Sequence, residues 1–508
     1  MKRFLWLGFV LFLYMICSGC GETFRPIIIP NPPTFPNPAA AHTVVTISDN
    51  GTFVPGSAMV IDVSGDTDVS IANADIHPVH AVQQSASEIL VLNQAVTEAG
   101  TGEDVATTSC LVPSPPPPNP AQYVYDVCPS ITKLNFSSTT IFSTNAISLP
   151  IYSAPNFMAV APSATLAYVT LPTYPPDPTQ PQTIVPSVGV INTQSNNLVA
   201  TIPVGNNPDA LAVTPDNSKL YVANQGDNTV SGFNTLDRSS RTVNGSLTMP
   251  PIWLSARSDS QRVYVLEQTS GVLASIDTTA TAGPDPLTEY PTINVPGATT
   301  MVYDSNLNRL YIPGGPQLAI VDVSQSPPQY LAGGPIPTCQ ASPLSKNCIP
   351  TVAPSSRGAS DPCSFTSAQT LTVVAVATLP DGSRAYVGAY YEDTNDNICP
   401  QVTVIDATNN MIEIPSIAIP GFPDATIQTS SYYVPVCATT RFRFMMAAGG
   451  DSSRAYLSSC DGGNVNIIDT SSDTYIENLP APVSNSRAPI PPNPLNPPQN
   501  PVFLIAGP

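Results

Sequence analysis

Residues 208–235 read PDALAVTPDNSKLYVANQGDNTVSGFNT, and this stretch decides the fold. Its residues alternate in the period of a β-strand and predict strands at 211–213, 220–222 and 229–234. A fourth strand of the same kind is predicted just before this stretch, at 198–204. The turn at 215–218 contains Asp and Asn, whose side chains hydrogen-bond to their own backbone and favour a hairpin. Four short antiparallel strands in about 45 residues correspond to one blade of a β-propeller.

The same pattern recurs along the chain of 508 residues. A Tyr followed by Val, Ile or Leu marks a second strand at Tyr168, Tyr221, Tyr264, Tyr311, Tyr386 and Tyr456. Residues 89–93 (ILVLN) fit the same position as a degenerate copy. A third-strand motif with Asp recurs at 275–278, 320–323, 404–407 and 467–470. The repeats predict an all-β chain made of four-stranded antiparallel blades.

These residues resemble the YVTN-family β-propeller repeat, close to Pro-x-x-x-Ala-Val-x-Pro-Asp-Gly-x-x-Leu-Tyr-Val-Ala-Asn followed by Val-x-Val-Ile-Asp-Thr. The match is close at 208–235, good at 372–407 and partial elsewhere, and the copies together cover roughly 42–508. The resemblance implies a propeller fold and a secreted or cell-surface setting. It implies no shared chemistry, because members of the family do not have one well-defined activity.

The two ends of the chain predict how the ring closes. Residues 501–508 align with 208–215 and have the pattern of a first strand with nothing after it. The patterns of a second, third and fourth strand without a first one occur at 43–48, 58–63 and 69–72. One blade built from both ends would remove the open sheet edges, so we expect eight blades. Seven blades is the alternative, if residues 42–72 only lie against the last blade.

The N-terminus has the features of an export signal. Two basic residues precede an uncharged apolar run at 4–16, which is too short to span a bilayer. The run ends in Cys17-Ser18-Gly19-Cys20, which resembles the bacterial lipoprotein processing box, although Cys17 stands where Leu is usual. The resemblance implies that Cys20 is acylated. An ordinary secretory signal with an incidental cysteine is the alternative.

We therefore predict a signal peptide at 1–19, a proline-rich tether at 20–41 and a propeller at 42–508. Gly21 is not the Asp that resembles an inner-membrane retention signal, which favours an outer membrane, on its periplasmic or surface face. Uneven spacing of the Tyr-Val steps predicts loop insertions at 94–128, 171–187, 325–370, 388–400 and 422–440. Such loops are where binding specificity would reside, unless they are passive decorations.

Ten cysteines less Cys17 and Cys20 leave eight, and an even number in an exported chain suggests disulfides. Pairing by loop proximity gives Cys110–Cys128, Cys339–Cys348, Cys363–Cys399 and Cys437–Cys460. Other connectivities stay open, because proximity is the only argument for these pairs. Metal binding by cysteine is the weaker interpretation, since no Cys-x-x-Cys pair lies outside the signal.

His77 and His80 are expected at the entry to a first strand, facing the central channel or its rim, with Asp75 as the only nearby carboxylate. We expect rim residues here rather than a metal site, and we predict no catalytic residues, metal or cofactor. The acidic segment 392–397 resembles half of a calcium loop, but it lacks the following Gly and the distant Glu. A solvated loop is the expectation, and calcium is the alternative.

The hairpin turns of several repeats carry charges at fixed positions. A base stands two residues before the Tyr at Lys219, Arg262, Arg309, Arg384 and Arg454. In four of these repeats an acid stands five residues before the Tyr, at Asp216, Asp259, Asp381 and Asp451. The simplest interpretation is a solvated acid–base pair across each turn, and not a catalytic dyad.

The formal net charge of −19 disfavours a nucleic-acid partner. The combination of anchor, tether, rigid ring and inserted loops favours a lipid-anchored, monomeric envelope protein that acts as a binding scaffold for a protein or glycan partner. The alternative is an exported lactonase- or lyase-like propeller enzyme with a site at the central channel. We favour the non-enzymatic role, because the sequence shows no convergent set of titratable residues.

Overall fold

The structure, a computed structural model, describes residues 43–50, 55–94, 98–99, 124–125, 129–137, 139–177, 180, 183–331, 333–340, 346–352, 356–364, 369–424, 436–481 and 500–506. The predicted lipid attachment site Cys20, the segments 1–19 and 20–41, and the pair Cys110–Cys128 lie outside the described residues. No helix among the described residues is both long and apolar enough to cross a membrane.

The first half of the chain forms blades 1 to 4, each a sheet of antiparallel neighbours. Blade 1 contains β1 (Thr43–Asp49), β2 (Pro55–Asp62) and β3 (Thr67–Ile76). Blade 2 contains β4 (Pro78–Ser85), β5 (Glu88–Asn93), β8 (Ser130–Phe136) and β9 (Ile141–Ser148), with a separate pair, β6 (Glu98–Ala99) and β7 (Val124–Tyr125), between β5 and β8. Blade 3 contains β10 (Met158–Val160), β11 (Leu166–Leu171), β12 (Ser187–Asn192) and β13 (Asn197–Pro203). Blade 4 contains β14 (Pro208–Val213), β15 (Lys219–Asn224), β16 (Thr229–Asn234) and β17 (Ser240–Arg241).

The second half forms blades 5 to 8 and completes blade 1. Blade 5 contains β18 (Val243–Asn244), β19 (Pro251–Ala256), β20 (Arg262–Glu267), β21 (Val272–Asp277) and β22 (Asp285–Asn294). Blade 6 contains β23 (Val302–Asp304), β24 (Arg309–Gly314), β25 (Gln317–Asp322), β26 (Gln329–Tyr330), β27 (Ile336–Cys339) and β28 (Ile349–Pro350). Blade 7 contains β29 (Thr372–Thr378), β30 (Arg384–Glu392), β31 (Asn397–Asp406), β32 (Met411–Ala418) and β33 (Phe422–Pro423). After helix α1 (Val436–Thr439), blade 8 contains β34 (Phe444–Ala448), β35 (Arg454–Ser459), β36 (Asn464–Asp469) and β37 (Thr474–Pro480), and β38 (Asn500–Ala506) returns to blade 1.

Blade 1 joins both ends of the chain, which confirms the eight-bladed ring closed by its terminal strands. Its strand order is β38, β1, β2, β3, so Phe503 and Ile61 lie in one sheet. β38 pairs antiparallel with β1, with Ile47 opposite Phe503. The hydroxyl of Thr46 also donates to the Phe503 carbonyl, at 3.3 Å. The seven-bladed alternative is therefore wrong.

The ring has two faces that differ in their connections. The first strand of each blade starts at one face, which we call the insertion face, and ends at the opposite face, which we call the plain face. Because neighbouring strands are antiparallel, the turns between second and third strands and the links between blades lie at the insertion face. The described strands that flank the predicted insertions 94–128, 171–187, 388–400 and 422–440 have the ends next to these insertions at this face, and so does β27, within 325–370.

Two of these insertions contain more regular structure than the predicted loops. The segment 388–400 extends the hairpin of β30 and β31, whose turn is confined to 393–396. The segment 325–370 contains β26, β27 and β28. Both differences arise because inserted residues continue the hydrogen-bonded ladder of the blade at its end instead of leaving the sheet.

The repeated Tyr side chains form the interior between blades. Each of the six is at most 1% exposed, because both faces of a second strand pack against neighbouring sheets. Three of their hydroxyls reach the following blade: Tyr221 donates to Asp285 (2.8 Å), Tyr264 to the Val323 carbonyl (3.3 Å) and Tyr386 to Asp473 (2.5 Å).

The four predicted acid–base pairs across the hairpin turns are wrong, because each base forms its ion pair elsewhere. Lys219 is buried and donates to the carbonyls of Thr278 (2.6 Å) and Ala280 (2.8 Å) of the next blade and to Asp285 (3.0 Å). Arg309, Arg384 and Arg454 reach the next blade in the same way, toward Asn410, Asp473 and Asp66 respectively. Arg262 instead faces Asp277 of its own blade, at 3.8 Å.

The acids of these turns serve the turn itself. Asp216, Asp259, Asp381 and Asp451 each accept the backbone N–H of the residue two positions later, at 2.8–3.0 Å. Such Asx turns fix the hairpin through backbone hydrogen bonds, and Asp259 also pairs with Arg257 at 2.7 Å. In four repeats the base two residues before the Tyr therefore joins neighbouring blades, and the acid shapes the turn.

Three disulfides strengthen the insertion face. Cys339 bonds to Cys348 and Cys363 to Cys399. Cys437 of α1 bonds to Cys460, which directly follows β35. All three match the pairs that loop proximity suggests. Each ties an inserted segment either to itself or to a blade.

Phe503→Ala should lower the free energy of unfolding by about 3 kcal/mol, because a buried Phe leaves a cavity at the strand that closes the ring. Phe142→Ala is the matched control, since Phe142 is 53% exposed on β9 and should change stability by about 0.5 kcal/mol or less. Urea unfolding of both variants measures the difference. Equal losses would contradict the closing role of β38.

Candidate functional site

A cavity of about 630 Å³ opens at the centre of the insertion face. Residues from the starts of first strands and the ends of second strands line it: Asp49, His77, Pro78, Val79, Gln94, Asn156, Asp209, Ile252, Gln268, Thr269, Gly297, Ala298, Thr299, Thr440 and Arg441. The volume is in the range of small-molecule sites. The ring itself creates this space, because the first strands of the blades converge on the axis.

Beneath the cavity, aromatic rings fill the channel. Phe157 contacts His80, with ring centroids 4.0 Å apart, and meets Trp253 edge-on at 5.5 Å. Phe442 meets both Trp253 (5.9 Å) and Phe503 (5.1 Å) in T-shaped geometry. Edge-to-face packing of this kind is favourable beyond the area it buries. The channel is therefore closed beneath the mouth, and the cavity has an aromatic floor.

Arg441 spans the mouth above this floor. It follows α1 at the entry to blade 8, yet it donates to the Asp209 carboxylate of blade 4 (3.1 Å) and to the Ile252 carbonyl of blade 5 (2.5 Å). Its guanidinium carbon lies 5.2 Å from the Phe157 ring centroid and 5.3 Å from that of Trp253. A cation over aromatic faces is stabilised by the ring quadrupoles. Burial raises the pKa of Asp209 even though Arg441 opposes that shift.

His77 carries the other charged pair of the cavity. Its Nδ1 lies 2.5 Å from an Asp49 carboxylate oxygen, and the Asp49 side chain is only 1% exposed. Burial alone would lower the pKa of His77, but the hydrogen bond and the charge of Asp49 together raise it above its usual value. The His77 backbone has a φ of 57°, in the left-handed region that non-glycine residues rarely adopt.

The two histidines do not act together. His80 is 5% exposed within the aromatic floor, where burial and then the charge of Arg441 lower its pKa to about 3. It is therefore neutral, and its Nδ1 forms no hydrogen bond to the described residues. Asp75, the carboxylate that the sequence suggests as a partner, instead accepts the Ser130 hydroxyl at 2.8 Å.

Asp49, Asp209 and Arg441 are the residues of this site that sequence reasoning misses. Asp49 had a usable signal, because it directly follows the predicted second strand 43–48, and second strands end at the cavity face. Arg441 lies at the end of an insertion and belongs to no repeat, so the sequence offers no register for it.

No cluster of three or more His, Cys, Asp or Glu side chains suited to a metal occurs in the described part of the chain. In the acidic segment 392–397, Asp393 is 6% exposed and accepts the backbone N–H groups of Ser364, Asn395 and Asn397 at 2.8–2.9 Å. Burial alone would raise the pKa of Asp393, but these donors lower it to about 2. The carboxylate anchors an inserted segment to the hairpin turn, so the solvated-loop expectation does not describe it.

A pair of carboxylates lies beside the cavity. Glu267 is fully buried at the end of β20, directly before the lining residues Gln268 and Thr269. The Thr248 N–H donates to both Glu267 (3.3 Å) and Glu289 (2.5 Å). Burial and the neighbouring Glu289 raise the pKa of Glu267 to about 7. At pH 7 the Glu267 carboxyl therefore carries a proton about half of the time.

Comparison with known proteins gives matches among solved structures. No family model matches the chain, and neither does any curated protein. The dihydro-heme d1 dehydrogenase NirN, solved in complex with DHE, is 10% identical with a TM-score of 0.51 over 90% of this chain and 77% of that one. Apo AztD from Citrobacter koseri is 9% identical with a TM-score of 0.48, covering 87% and 95%. A putative 6-phosphogluconolactonase from Bacteroides fragilis is 11% identical with a TM-score of 0.43, covering 75% and 96%.

The similarity to NirN shows the propeller fold alone, because one fold carries many functions. The resemblance to the YVTN family stays a prediction.

Glu267→Gln should reduce the loss of stability at higher pH. The folded state binds the Glu267 proton more tightly than the unfolded chain does. The contribution of Glu267 to the free energy of unfolding is therefore complete below pH 4.5 and is lost as the pH rises through about 7. Thermal unfolding at pH 5 and pH 8 should therefore show a smaller decrease for the variant than for the wild type. Glu477→Gln, an exposed position on β37, is the control and should leave the decrease unchanged. A decrease in the stability of Glu267→Gln equal to that of the wild type would contradict the raised pKa of Glu267.

Proposed function

We propose that the chain is a cell-envelope binding protein that receives the hydroxyl-rich end of a glycan in the cavity at the insertion face. The observation that carries this proposal is the wall of the cavity. Six neutral side chains in it can each donate and accept hydrogen bonds: Gln94, Asn156, Gln268, Thr269, Thr299 and Thr440. Sugar hydroxyls require this double capacity, because each of them is itself both donor and acceptor.

The charges of the cavity favour a neutral ligand. The two basic side chains of the wall are each paired with a carboxylate of the same wall, His77 with Asp49 and Arg441 with Asp209. A charged ligand would have to compete with these internal partners. The net charge of −19 adds repulsion against polyanions.

The apolar part of the wall suits the carbon face of a sugar. Pro78, Val79, Ile252 and Ala298 contribute apolar surface between the polar groups. Binding sites usually combine such surface with a few placed polar groups that fix the orientation of the ligand. The strand ends that flank the insertions surround the same mouth, so inserted segments can extend the contact to a larger partner.

We further propose that the protein is exported and held at the outer membrane through acylated Cys20. The signal-like segment 1–19 and the processing box support this location. The three disulfides support it independently, because such bonds persist in oxidising compartments.

Gln268→Trp should weaken glycan binding at least tenfold, because the added ring would occupy the cavity, while the exposed position of Gln268 leaves the core intact. A printed array of neutral oligosaccharides would find the ligand, and calorimetry would measure its affinity. Leu236→Trp, a 97% exposed position on the plain face, is the matched control and should bind normally. No binding by the wild type would overturn the proposal. A protein ligand displaced by Gln268→Trp would keep the cavity as the site and replace the glycan.

Cys20→Ser should release the protein from the membrane fraction and abolish labelling by a radioactive fatty acid, because the thiol is the proposed acylation site. Cys17→Ser is the control and should still be labelled. Unchanged membrane association of Cys20→Ser would contradict the anchor.

A further inference from the structure

We infer that His77 and Asp49 form a general-base dyad and that the cavity hydrolyses a carboxylic ester carried by its sugar ligand. The inference rests on the proposed function, since the glycan must first occupy the cavity. It gives a specific reaction to the alternative function, that of an exported enzyme with a site at the central channel.

The geometry of the dyad fixes which nitrogen of His77 is basic. Asp49 holds Nδ1 at 2.5 Å, so Nδ1 carries the proton and Nε2 of the neutral ring carries the lone pair. Nε2 makes no hydrogen bond to the described residues, while the side chain is 21% exposed and borders the cavity. A carboxylate that orients an imidazole in this way is the arrangement that general bases use in acyl transfer.

The backbone of His77 supports a functional reason for its position. Its φ of 57° lies between β3 and β4, at the junction of blades 1 and 2. A left-handed residue with a branched ring costs free energy, and such strain concentrates at functional sites. The strained link places the ring on the buried carboxylate of Asp49, the last residue of β1.

The surroundings of the dyad suit an anionic intermediate. The other charged groups of the wall are Asp209 and Arg441, and Asp75 lies two residues before His77. The side-chain amides of Gln94 and Gln268 provide N–H donors in the same wall, while the Asn156 amide donates to Asp209 at 3.1 Å. Donors that turn toward a developing negative charge stabilise it.

The reaction needs only water and the ester. Nε2 of His77 takes a proton from a water molecule, and the water oxygen bonds to the ester carbonyl carbon. The tetrahedral anion then collapses, the bond from that carbon to the sugar oxygen breaks, and the imidazolium returns its proton to the sugar oxygen. A carboxylic acid and a free sugar hydroxyl result, and nothing is oxidised or reduced.

The test measures acetate release from mono-O-acetylglucose by the full mature chain. His77→Asn removes the base but tolerates a left-handed φ, so it should fold and lose activity by at least about 100-fold. Asp49→Asn should lower the rate and move the midpoint of the rate–pH profile to lower pH, because Asp49 raises the pKa of His77. In the wild type, the rate should rise with pH through a midpoint above 6.5.

Asp237→Asn, an exposed position on the plain face, is the matched control for Asp49→Asn and should retain full activity and an unchanged profile. Wild-type release no faster than in buffer, or equal release by His77→Asn, would overturn the inference. Saturation-transfer NMR with the same ester separates two failures. Binding without hydrolysis overturns the dyad alone, whereas absence of binding by this ester and by every neutral sugar on the array overturns the proposed function as well.

Discussion

The pairing of β1 with β38 is the constraint on which the rest of the molecule depends. It joins residues from the two ends of the chain in one sheet, and without it blades 8 and 2 would each lose a neighbour. The same pairing builds the centre of the ring. Phe503 of β38 enters the aromatic floor, and Asp49 ends β1 at the cavity wall. Closure of the ring and formation of the candidate site therefore depend on the same strand pairing, and loss of that pairing would disrupt both.

Contacts between neighbouring blades provide the second level of order. The buried cation of Lys219 is costly to desolvate, and it is tolerated because two carbonyls and a carboxylate of the next blade accept hydrogen bonds from its ammonium group. Removing Asp285 would leave Lys219, Arg241 and the Tyr221 hydroxyl without their shared acceptor. These hydrogen bonds and ion pairs fix the angle between neighbouring sheets. The apolar packing between the sheets cannot do so, because the hydrophobic effect has no preferred direction.

The sequence predicts the architecture well because the fold repeats. Seven copies of one second-strand pattern determine strand order, and the unmatched patterns at the two ends determine closure. The site is less predictable for two physical reasons. Arg441 and Asp209 meet across the ring although they are 232 residues apart, and such a contact leaves no local pattern. The bases Lys219 and Arg309 have partners in the next blade that lie 59 and 101 residues later, and Arg454 pairs with Asp66, 388 residues earlier, so the local turn pattern does not predict these contacts. The repeat pattern predicts the strands that all repeats have in common. The site, in contrast, is built from residues that differ from one repeat to the next.

The directions of β1 and β38 also determine which face of the ring a surface-bound protein would present to solution. β1 begins at Thr43 on the plain face and ends at Asp49 beside the cavity, and β38 runs the opposite way and ends at Ala506 on the plain face. Thr43 and Ala506 therefore both lie on the side of the ring away from the cavity. Immobilising the protein through the plain face would present the cavity to a ligand in solution.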